Sequence, residues 1–511
     1  MSTIRHLLSA LPAHTLIGIP VDTATGSDEI SFLACDSRKA CGGCMFFCLV
    51  GKTVDGHTFA PSAYRNGCRV FVAERELPLP ADACQILVPD TRAALADVAA
   101  LHYGHPEKKL RLIGITGTKG KTTTALLIRS LLESCGIPTG YIGTNGVMYR
   151  DVREITTNTT PESLELYRYL ADMLDEGVET CVLEISSQAL WMERTRGLVF
   201  DTVMFTNLSR DHIGGVEHPD FEHYRDSKRR LFKDYPANAV IVNRDDPVAD
   251  YMTEGVSVPV LFFGLAADVG GEIPLWSAAD IRPDTHGGRL GVSFTLSRHG
   301  IPSDEPWFLP LPGDFNVQNA LGAIAVVCER FGVSLSDART ALAVAVAEGR
   351  FQAIIHPARP DVTFIIDYAH NGVSLTAILE TLRTYRPDRL ICLFGSVGGR
   401  TKERRKDLAE AAGHRCDLCI LTSDNPAGEP PMAILDDIDN AFPEGSCPRV
   451  KIPDRKEAIL YAVDIAREGD IILLAGKGHE NYQLIGVDRV PFSESAILRE
   501  ALEMRAEALV P

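Results

Sequence analysis

Along most of this chain, short apolar runs end in small, polar or charged residues and are separated by stretches of helical spacing. In residues 1 to about 106, "CRVFVA" and "CQILVP" read as strands beside the polar block "DSRKACGGCMFFCLVGKTVDGHTFA". From about 107 to 347, "RLIGITG", "TCVLEIS", "DTVMFTN" and "NAVIVNR" alternate with helical stretches such as "ALLIRSLLES". That alternation predicts a parallel sheet with helices on both faces. From about 348 the pattern restarts with "VTFIIDYAH", "RLICLFG", "CDLCILTSD" and "DIILLAG". The fold class predicted is α/β, with domains over 1–106, 107–347 and 348–511. Open parallel sheets bind ligands beyond the carboxyl ends of their strands, so the residues that close each run are the candidate site residues.

Composition narrows the class without naming a chemistry. At 511 residues the chain exceeds one hydrophobic core, and 45% hydrophobic with 23% charged residues is ordinary for soluble α/β protein. A formal net charge of −17 argues against nonspecific nucleic-acid binding and against adsorption to anionic membranes. No apolar run is long enough to span a bilayer, so no membrane insertion is expected. The opening "MSTIRHLLSALPAHTL" lacks the apolar core and cleavage site of a secretory signal, and a cytoplasmic location is expected. Thirteen scattered cysteines fit reduced thiols better than a disulfide framework. Two pairs have zinc-like spacing, Cys41 with Cys44 in the turn "CGGC" and Cys416 with Cys419 in "CDLCILTSD". The second reads as a buried strand and no partner pair follows the first at ribbon spacing, so no structural zinc is expected.

The densest chemistry lies in "LIGITGTKGKTTT", residues 112–124, a strand entering a Gly/Lys/Thr loop and leaving as a helix. The general phosphate-loop pattern would begin with glycine at position 115, which is Ile115, so the match is partial. Its physical parts are present. Gly117 and Gly120 let backbone N–H groups turn toward an anion, Lys121 can reach terminal phosphates, and Thr122 can hold Mg²⁺ at the helix start. Downstream come Asn158, Thr159 and Thr160 in "TTNTTPE", then Glu184 in "VLEISSQAL". Glu184 is read either against a helix start capped by Ser186 and Ser187 or as a Mg²⁺ ligand near the nucleotide. Asp211 and His212 follow the next strand, a placement that favours a ligand role. Lys228, in "HYRDSKRRLF", reads by spacing alone as one cation on a solvated helix face.

"GTKGKTTT", "TTPE", "EISSQAL", "FTNLSRDH", "NRDDP", "GDFNVQNALGA", "DYAHN", "SDNPA" and "GKGHE" occur in one order over nearly the whole chain. Together they resemble the Mur ligases, in particular the members that add the third residue of the peptidoglycan stem peptide. The resemblance implies an N-terminal domain for a uridine nucleotide, a central ATPase and a C-terminal Rossmann-like domain for an amino acid. It implies that Cys35, Ser37, Lys52, Thr53 and Val54 lie on the UDP moiety. Asn158, Thr159, Thr160, Ser186 and Arg194 would contact the muramoyl-dipeptide or its phosphates. Gly117, Thr118, Lys119, Gly120, Lys121, Thr122 and Thr123 would cradle ATP, with Asn243, Asp245, Asp246, Asn316 and Asn319 framing its adenosine. Thr122, Glu184, His212 and a carbamylated Lys228 would serve Mg²⁺, since a carbamate is an anionic oxygen ligand where an ammonium would be repelled. His370 would orient the amine or its water, or be a buried structural histidine. Met192 and Cys35 depart from the residues usual in the family.

The reaction so implied is amide ligation by a monomer. ATP phosphorylates the D-Glu carboxylate of UDP-MurNAc-L-Ala-D-Glu, and a free diamino acid attacks the acyl phosphate. The amine would meet Arg400, Asp424, Asn425, Pro426, Ala427, Gly476 and Glu480. Diaminopimelate-adding members read D-N-P-R here, their Arg clamping the distal carboxylate, whereas this chain has Ala427. An unpaired carboxylate in the pocket is costly, so L-lysine is expected ahead of meso-diaminopimelate or ornithine. Glu429 or Glu480 would then face the lysine ammonium, whereas Lys402 or Arg404 would have to meet a distal carboxylate. Two rivals are a folylpolyglutamate-synthetase-like ligase, disfavoured by the N-terminal "DSRK" block, and a P-loop switch, for which no N-K-x-D is found.

Overall fold

The computed structural model describes residues 2–18, 29–51, 54–210, 213–214, 217–265, 273–357, 359–399 and 401–508. Two compact units form, Met1–Gly264 with Gly322–Val333, and Leu265–Leu321 with Ser334–Pro511. In the first, a five-stranded sheet runs in the order Thr15–Ile17, Cys84–Leu87, Val70–Ala73, Cys44–Phe47, Phe32–Ala34. All its pairings are parallel except that of Thr15–Ile17. Cys44, expected in a turn, begins a wholly buried strand, because the turn closes one residue earlier at Gly43, φ +77°.

The strands predicted between 107 and 347 form the middle of a larger sheet. Its order in this unit is Val152–Glu154, Gly146–Tyr149, Thr139–Gly143, Thr180–Glu184, Arg111–Thr116, Phe200–Phe205, Ala237–Asn243, Val260–Gly264. From Thr139–Gly143 to Val260–Gly264 every pairing is parallel. Helices cover these strands, which explains their near-continuous apolar sequences. Strand order reverses at Arg111–Thr116, so the loops leaving it, Thr180–Glu184 and Phe200–Phe205 meet at one crevice.

In the second unit, Trp276–His286 and Arg289–Arg298 pair as a long antiparallel hairpin that the apolar pattern did not predict. A six-stranded sheet follows in the order Gln352–His356, Arg359–Asp367, Asp470–Ala475, Arg389–Phe394, Leu418–Leu421, Arg449–Lys451. It is parallel apart from the Gln352–His356 edge. The mostly parallel α/β class predicted from the pattern is therefore present in both units.

A buried ion pair pins the strand ends of this second sheet. The fully buried Arg455 donates to Glu494 at 2.8 Å, to the Ser423 carbonyl at 3.0 Å and to the Ala475 carbonyl at 2.8 Å. Ser423 and Ala475 directly precede Asp424 and Gly476, two of the expected amine-site residues. Burial pushes the Glu494 carboxyl above its usual range, and Arg455 pulls it back. Arg455→Met should therefore lower stability by about 3–5 kcal/mol in denaturant unfolding, because it strands a buried carboxylate. Adding Glu494→Met should recover much of that loss, a result that an additive pair of effects would contradict.

Candidate active site

The strand Arg111–Thr116 passes through Gly117–Gly120 into the helix Lys121–Ser134. Gly117 sits at φ +152°, and a Cβ there would lie 1.9 Å from Thr206 Oγ1, so the close approach to the neighbouring strand's loop requires glycine. The amides of Thr118 and Lys119 donate to Asn207 O and Oδ1 at 2.8 and 2.9 Å. Asn207 thus fixes the front of the loop and leaves the amides around the helix start as the candidates for an anion. That helix begins at Gly120 without a side-chain cap, the arrangement that binds phosphate. Lys121 Nζ donates to the carbonyls of Gly117 and Thr118 at 2.8 and 3.1 Å, folding it over the loop.

Glu184 is fully buried at the end of its strand and gathers its neighbours. Its carboxylate accepts from Tyr141 Oη, from Thr144 N at 3.0 Å, from Thr144 Oγ1 at 3.2 Å and from Thr122 Oγ1 at 2.9 Å. Thr160 Oγ1 donates to the Glu184 carbonyl at 2.8 Å, and Ser186 caps the short helix Ser187–Trp191 through Ala189 N. Ser186 thus caps the following helix as expected, while the Glu184 carboxylate turns instead to Tyr141, Thr144 and Thr122 beside the loop.

Lys228 is not the solvated cation that spacing suggested. It is only 2% exposed, its Nζ donates to Gly117 O at 2.8 Å, and it lies over the Tyr224 ring. The helix Phe221–Lys233 turns Tyr224, Ser227, Lys228, Leu231 and Phe232 inward, so Lys228 occupies its apolar face. Lys121 and Lys228 share a cavity of about 240 Å³ with Asn158, Thr159, Ser186, Ser187, Arg194 and His218. Arg194 is held at Nε by Glu162 at 2.9 Å, and burial pulls its guanidinium below its ordinary value. Thr160 is buried just behind this lining. His212 and Asp211 lie outside the described residues.

Thr122 Oγ1 and the Glu184 carboxylate are hard oxygen donors 2.9 Å apart, a pairing suited to Mg²⁺ that also takes phosphate oxygens. Among the described residues no group of three or more His, Cys, Asp or Glu could hold a metal by itself.

Of the residues expected around adenosine, Asn243 donates to Thr206 O at 2.8 Å, and its Oδ1 accepts from Asp245 N. Asp246 accepts from Leu208 N and Val248 N, its carboxyl pushed up by burial. Asn243 and Asp246 therefore brace the loop behind Gly117. Asn316 and Asn319 belong to the second unit, where Asn319 Nδ2 donates to Asn316 Oδ1 at 3.2 Å. Of the nucleotide-sugar set, Cys35 is half-buried after its strand, the Ser37 carbonyl accepts from Asn66 Nδ2 at 2.8 Å, and Val54 is exposed. Lys52 and Thr53 lie outside the described residues.

At the second sheet, Lys477 is fully buried and donates to Asn425 Oδ1 at 3.0 Å and Glu480 Oε2 at 2.9 Å, with Asp424 Oδ1 at 3.8 Å. Asn425 Nδ2 also donates to Glu480 at 2.9 Å. Gly476, φ +111°, approaches Asp424 so closely that a Cβ would lie 3.0 Å from its Oδ2. Pro426 precedes Ala427, which sits at φ +50° between the Leu484 carbonyl and the Gly486 amide. Glu429 accepts from Arg405 at 2.6 Å and from Gly399 N at 3.0 Å. Glu429 and Glu480, the expected countercharges for a lysine ammonium, are thus each already paired with a cation of the protein. Lys402 pairs with Asp437 at the surface, and Arg404 donates to the His370 carbonyl at 3.0 and 2.8 Å. Arg400 lies outside the described residues.

Sequence reading missed Tyr141, Thr144, His218 and Lys477. Tyr141 sits within an apolar strand, and only parallel pairing opposite Val182 brings it to Glu184. His218 meets Ser187 Oγ at 2.8 Å across a loop of unpredictable path. Lys477 did carry a signal, a lysine between two glycines at a strand end.

Family models match three stretches: "Mur ligase family, catalytic domain" over residues 29–103, "Mur ligase middle domain" over 115–327 and "Mur ligase, glutamate ligase domain" over 349–478. The UDP-N-acetylmuramoyl-L-alanyl-D-glutamate--2,6-diaminopimelate ligase of Geobacillus kaustophilus is 40% identical over 94% of this chain and 96% of its own. The structure of a UDP-N-acetylmuramoyl-L-alanyl-D-glutamate--2,6-diaminopimelate ligase superposes with a TM-score of 0.66 at 29% identity, covering 99% of both chains. A MurF ligase from Thermotoga maritima in complex with ADP shares the fold, with a TM-score of 0.58 at 18% identity over 94% of this chain and 97% of that one. The first two carry 2,6-diaminopimelate in their names where L-lysine was expected from Ala427.

His370 offers a test of the second site. Its Nδ1 lies 2.7 Å from the Tyr368 carbonyl, which can only accept, so Nδ1 carries the proton and Nε2 the lone pair. Burial lowers its pKa from the ordinary 6.5 to about 4, opposed by the Tyr368 carbonyl and assisted by Arg404. A neutral buried histidine stabilises the fold above its unfolded pKa, and that contribution is lost as pH falls from 6.5 toward about 4. The His370 ring resonance should therefore stay unshifted at pH 5.5, and His370→Asn should flatten the loss of stability across that window.

Proposed function

This chain belongs to the Mur ligase family, and on that premise we propose that it joins the D-glutamate carboxylate of UDP-N-acetylmuramoyl-L-alanyl-D-glutamate to an amine of 2,6-diaminopimelate, cleaving ATP to ADP and phosphate. The observation that carries the proposal is the single cavity bordered by Lys121, Lys228, Asn158, Thr159, Ser186 and Arg194 in front of the glycine loop. A phosphate loop, a cluster of cations and a set of amide and hydroxyl groups there meet the needs of a carboxylate approaching a γ-phosphoryl group. Residues 1–106 would take the uridine nucleotide, 107–347 ATP and 348–511 the amino acid.

The chemistry asks the protein chiefly for alignment and charge neutralisation. The amides around the helix start and Lys121 would bear on the β- and γ-phosphates. Arg194, with Asn158 and Thr159, would hold the muramoyl-dipeptide so that its side-chain carboxylate faces the phosphoryl group. Thr122 and Glu184 would hold Mg²⁺, which when bound neutralises charge on the transferring group. Asp424, Asn425 and Glu480 would hold the amino acid whose amine attacks the acyl phosphate.

A second reading, L-lysine as the amine, is favoured by one observation, the methyl group at Ala427 where a diaminopimelate clamp needs a cation. Engagement of both Glu429 and Glu480 by other cations weighs against it. ADP release with UDP-MurNAc-L-Ala-D-Glu should be measured against meso-2,6-diaminopimelate, L-lysine and L-ornithine. The highest kcat/KM is expected for meso-2,6-diaminopimelate. A higher value for L-lysine selects the second reading, and ADP release that needs no amine removes the ligase.

Lys228 is proposed to carry a carbamate. An ammonium there shares a cavity with Lys121, whereas a carbamate would keep one N–H for Gly117 O and supply anionic oxygens that could hold Mg²⁺. Enzyme equilibrated with ¹³C-bicarbonate should show one carbamate carbon resonance, absent from Lys228→Ala. That variant should lose turnover and regain part of it with a short carboxylic acid; an active enzyme without the resonance would refute the modification.

A further inference from the structure

Arg194 is the inner end of an ionic chain. Its Nε meets Glu162 Oε1 at 2.9 Å and its Nη1 donates to Thr160 O at 3.3 Å. The other Glu162 oxygen, Oε2, accepts from Arg92 Nη1 at 3.0 Å. Arg92 in turn reaches the Val50 carbonyl through Nε and Nη2, both at 3.3 Å. Beside Val50, Gly51 N donates to Val54 O at 2.9 Å and Gly56 N to Leu49 O at 2.8 Å. This stretch carries Val54 and belongs to the block assigned above to the uridine nucleotide.

The three side chains are sheltered, with exposures of 18%, 23% and 7% for Arg92, Glu162 and Arg194. Glu162 also lies beside Cys35, whose thiol is pushed up to about 11 by burial and, next, by the Glu162 charge. One carboxylate is thus linked through Arg194 to the peptide pocket and through Arg92 to the Val50 carbonyl. Within this trio one carboxylate faces two guanidinium groups, a balance suited to an anionic substrate.

We infer that Glu162 is a positioning residue for the UDP-linked substrate, dividing its carboxylate between Arg194 at the peptide pocket and Arg92 at the nucleotide loop. Both ends of one long substrate are then read through a single set of charges. The inference rests on the proposed function, because it presumes that Arg194 and the loop touch the same molecule. Without the carboxylate, Arg194 loses the partner that fixes its plane and the two guanidinium groups repel each other. Neither change touches the phosphate loop.

The test is steady-state kinetics of Glu162→Gln, which keeps the shape and removes the charge. KM for UDP-MurNAc-L-Ala-D-Glu should rise by about tenfold or more, the scale of a lost charged hydrogen bond, with kcat and KM for ATP within about twofold. Glu162→Asp should recover part of the loss. Arg92→Gln should raise the same KM, and the double variant should be less than additive. A lowered melting temperature with unchanged KM would make the chain a structural staple and overturn the inference. If Glu162→Gln does not fold, the same criterion applies to Arg92→Gln, where an unchanged KM overturns it. A wild-type enzyme that releases no ADP with this substrate overturns the proposed function itself, a distinct result from normal wild-type turnover with an unaffected variant.

Discussion

The Glu184 carboxylate lies at the end of a central strand with no access to water, and it accepts from Tyr141, Thr122 and, twice, Thr144. Burying such a group is costly unless its lone pairs are satisfied. The donors come from three places, the strand Thr139–Gly143, the turn after it and the first helical turn beyond the glycine loop. Satisfying one carboxylate therefore fixes the start of the helix Lys121–Ser134 against the sheet. Thr160, bound to the Glu184 carbonyl, carries the same constraint into the Asn158–Thr160 segment. The cavity between loop and segment follows from that anchoring.

Strand positions were legible in the sequence because doubly covered parallel strands must be apolar along their length. Every run singled out between 107 and 264, and each of the four after 348, is a strand of the expected kind. The long hairpin Trp276–His286/Arg289–Arg298 was not legible. Much of its first strand is exposed, so polar residues such as Asp280, Arg282 and Asp284 interrupt the apolar signal. The loop Gly117–Thr122 could be read because its chemistry is local. Lys228 could not, because its burial depends on which helix face meets the loop, and four neighbouring charged residues mask that face. Tyr141 and Thr144 were invisible for a related reason: only strand register brings them to Glu184.

The second sheet handles charge differently. Lys477 and Arg455 are fully buried, and each is surrounded by oxygen acceptors supplied by strand ends or by the residues that follow them. These cations draw Ser423, Asn425, Ala475 and Glu480 into fixed positions. Glu429 is likewise tied to Arg405. Glu429 and Glu480, which read one residue at a time look unpaired, each meet a cation of the folded chain.

Ala427 holds its left-handed backbone through two main-chain hydrogen bonds, to the Leu484 carbonyl and from the Gly486 amide. An L-residue there is less favourable than glycine by about 1 kcal/mol, yet the loop keeps its course because neither bond involves the side chain. The backbone is thus indifferent to which side chain it bears at this point. A longer side chain could therefore replace the methyl group at position 427 without rebuilding the loop, so its chemistry can change while the fold does not.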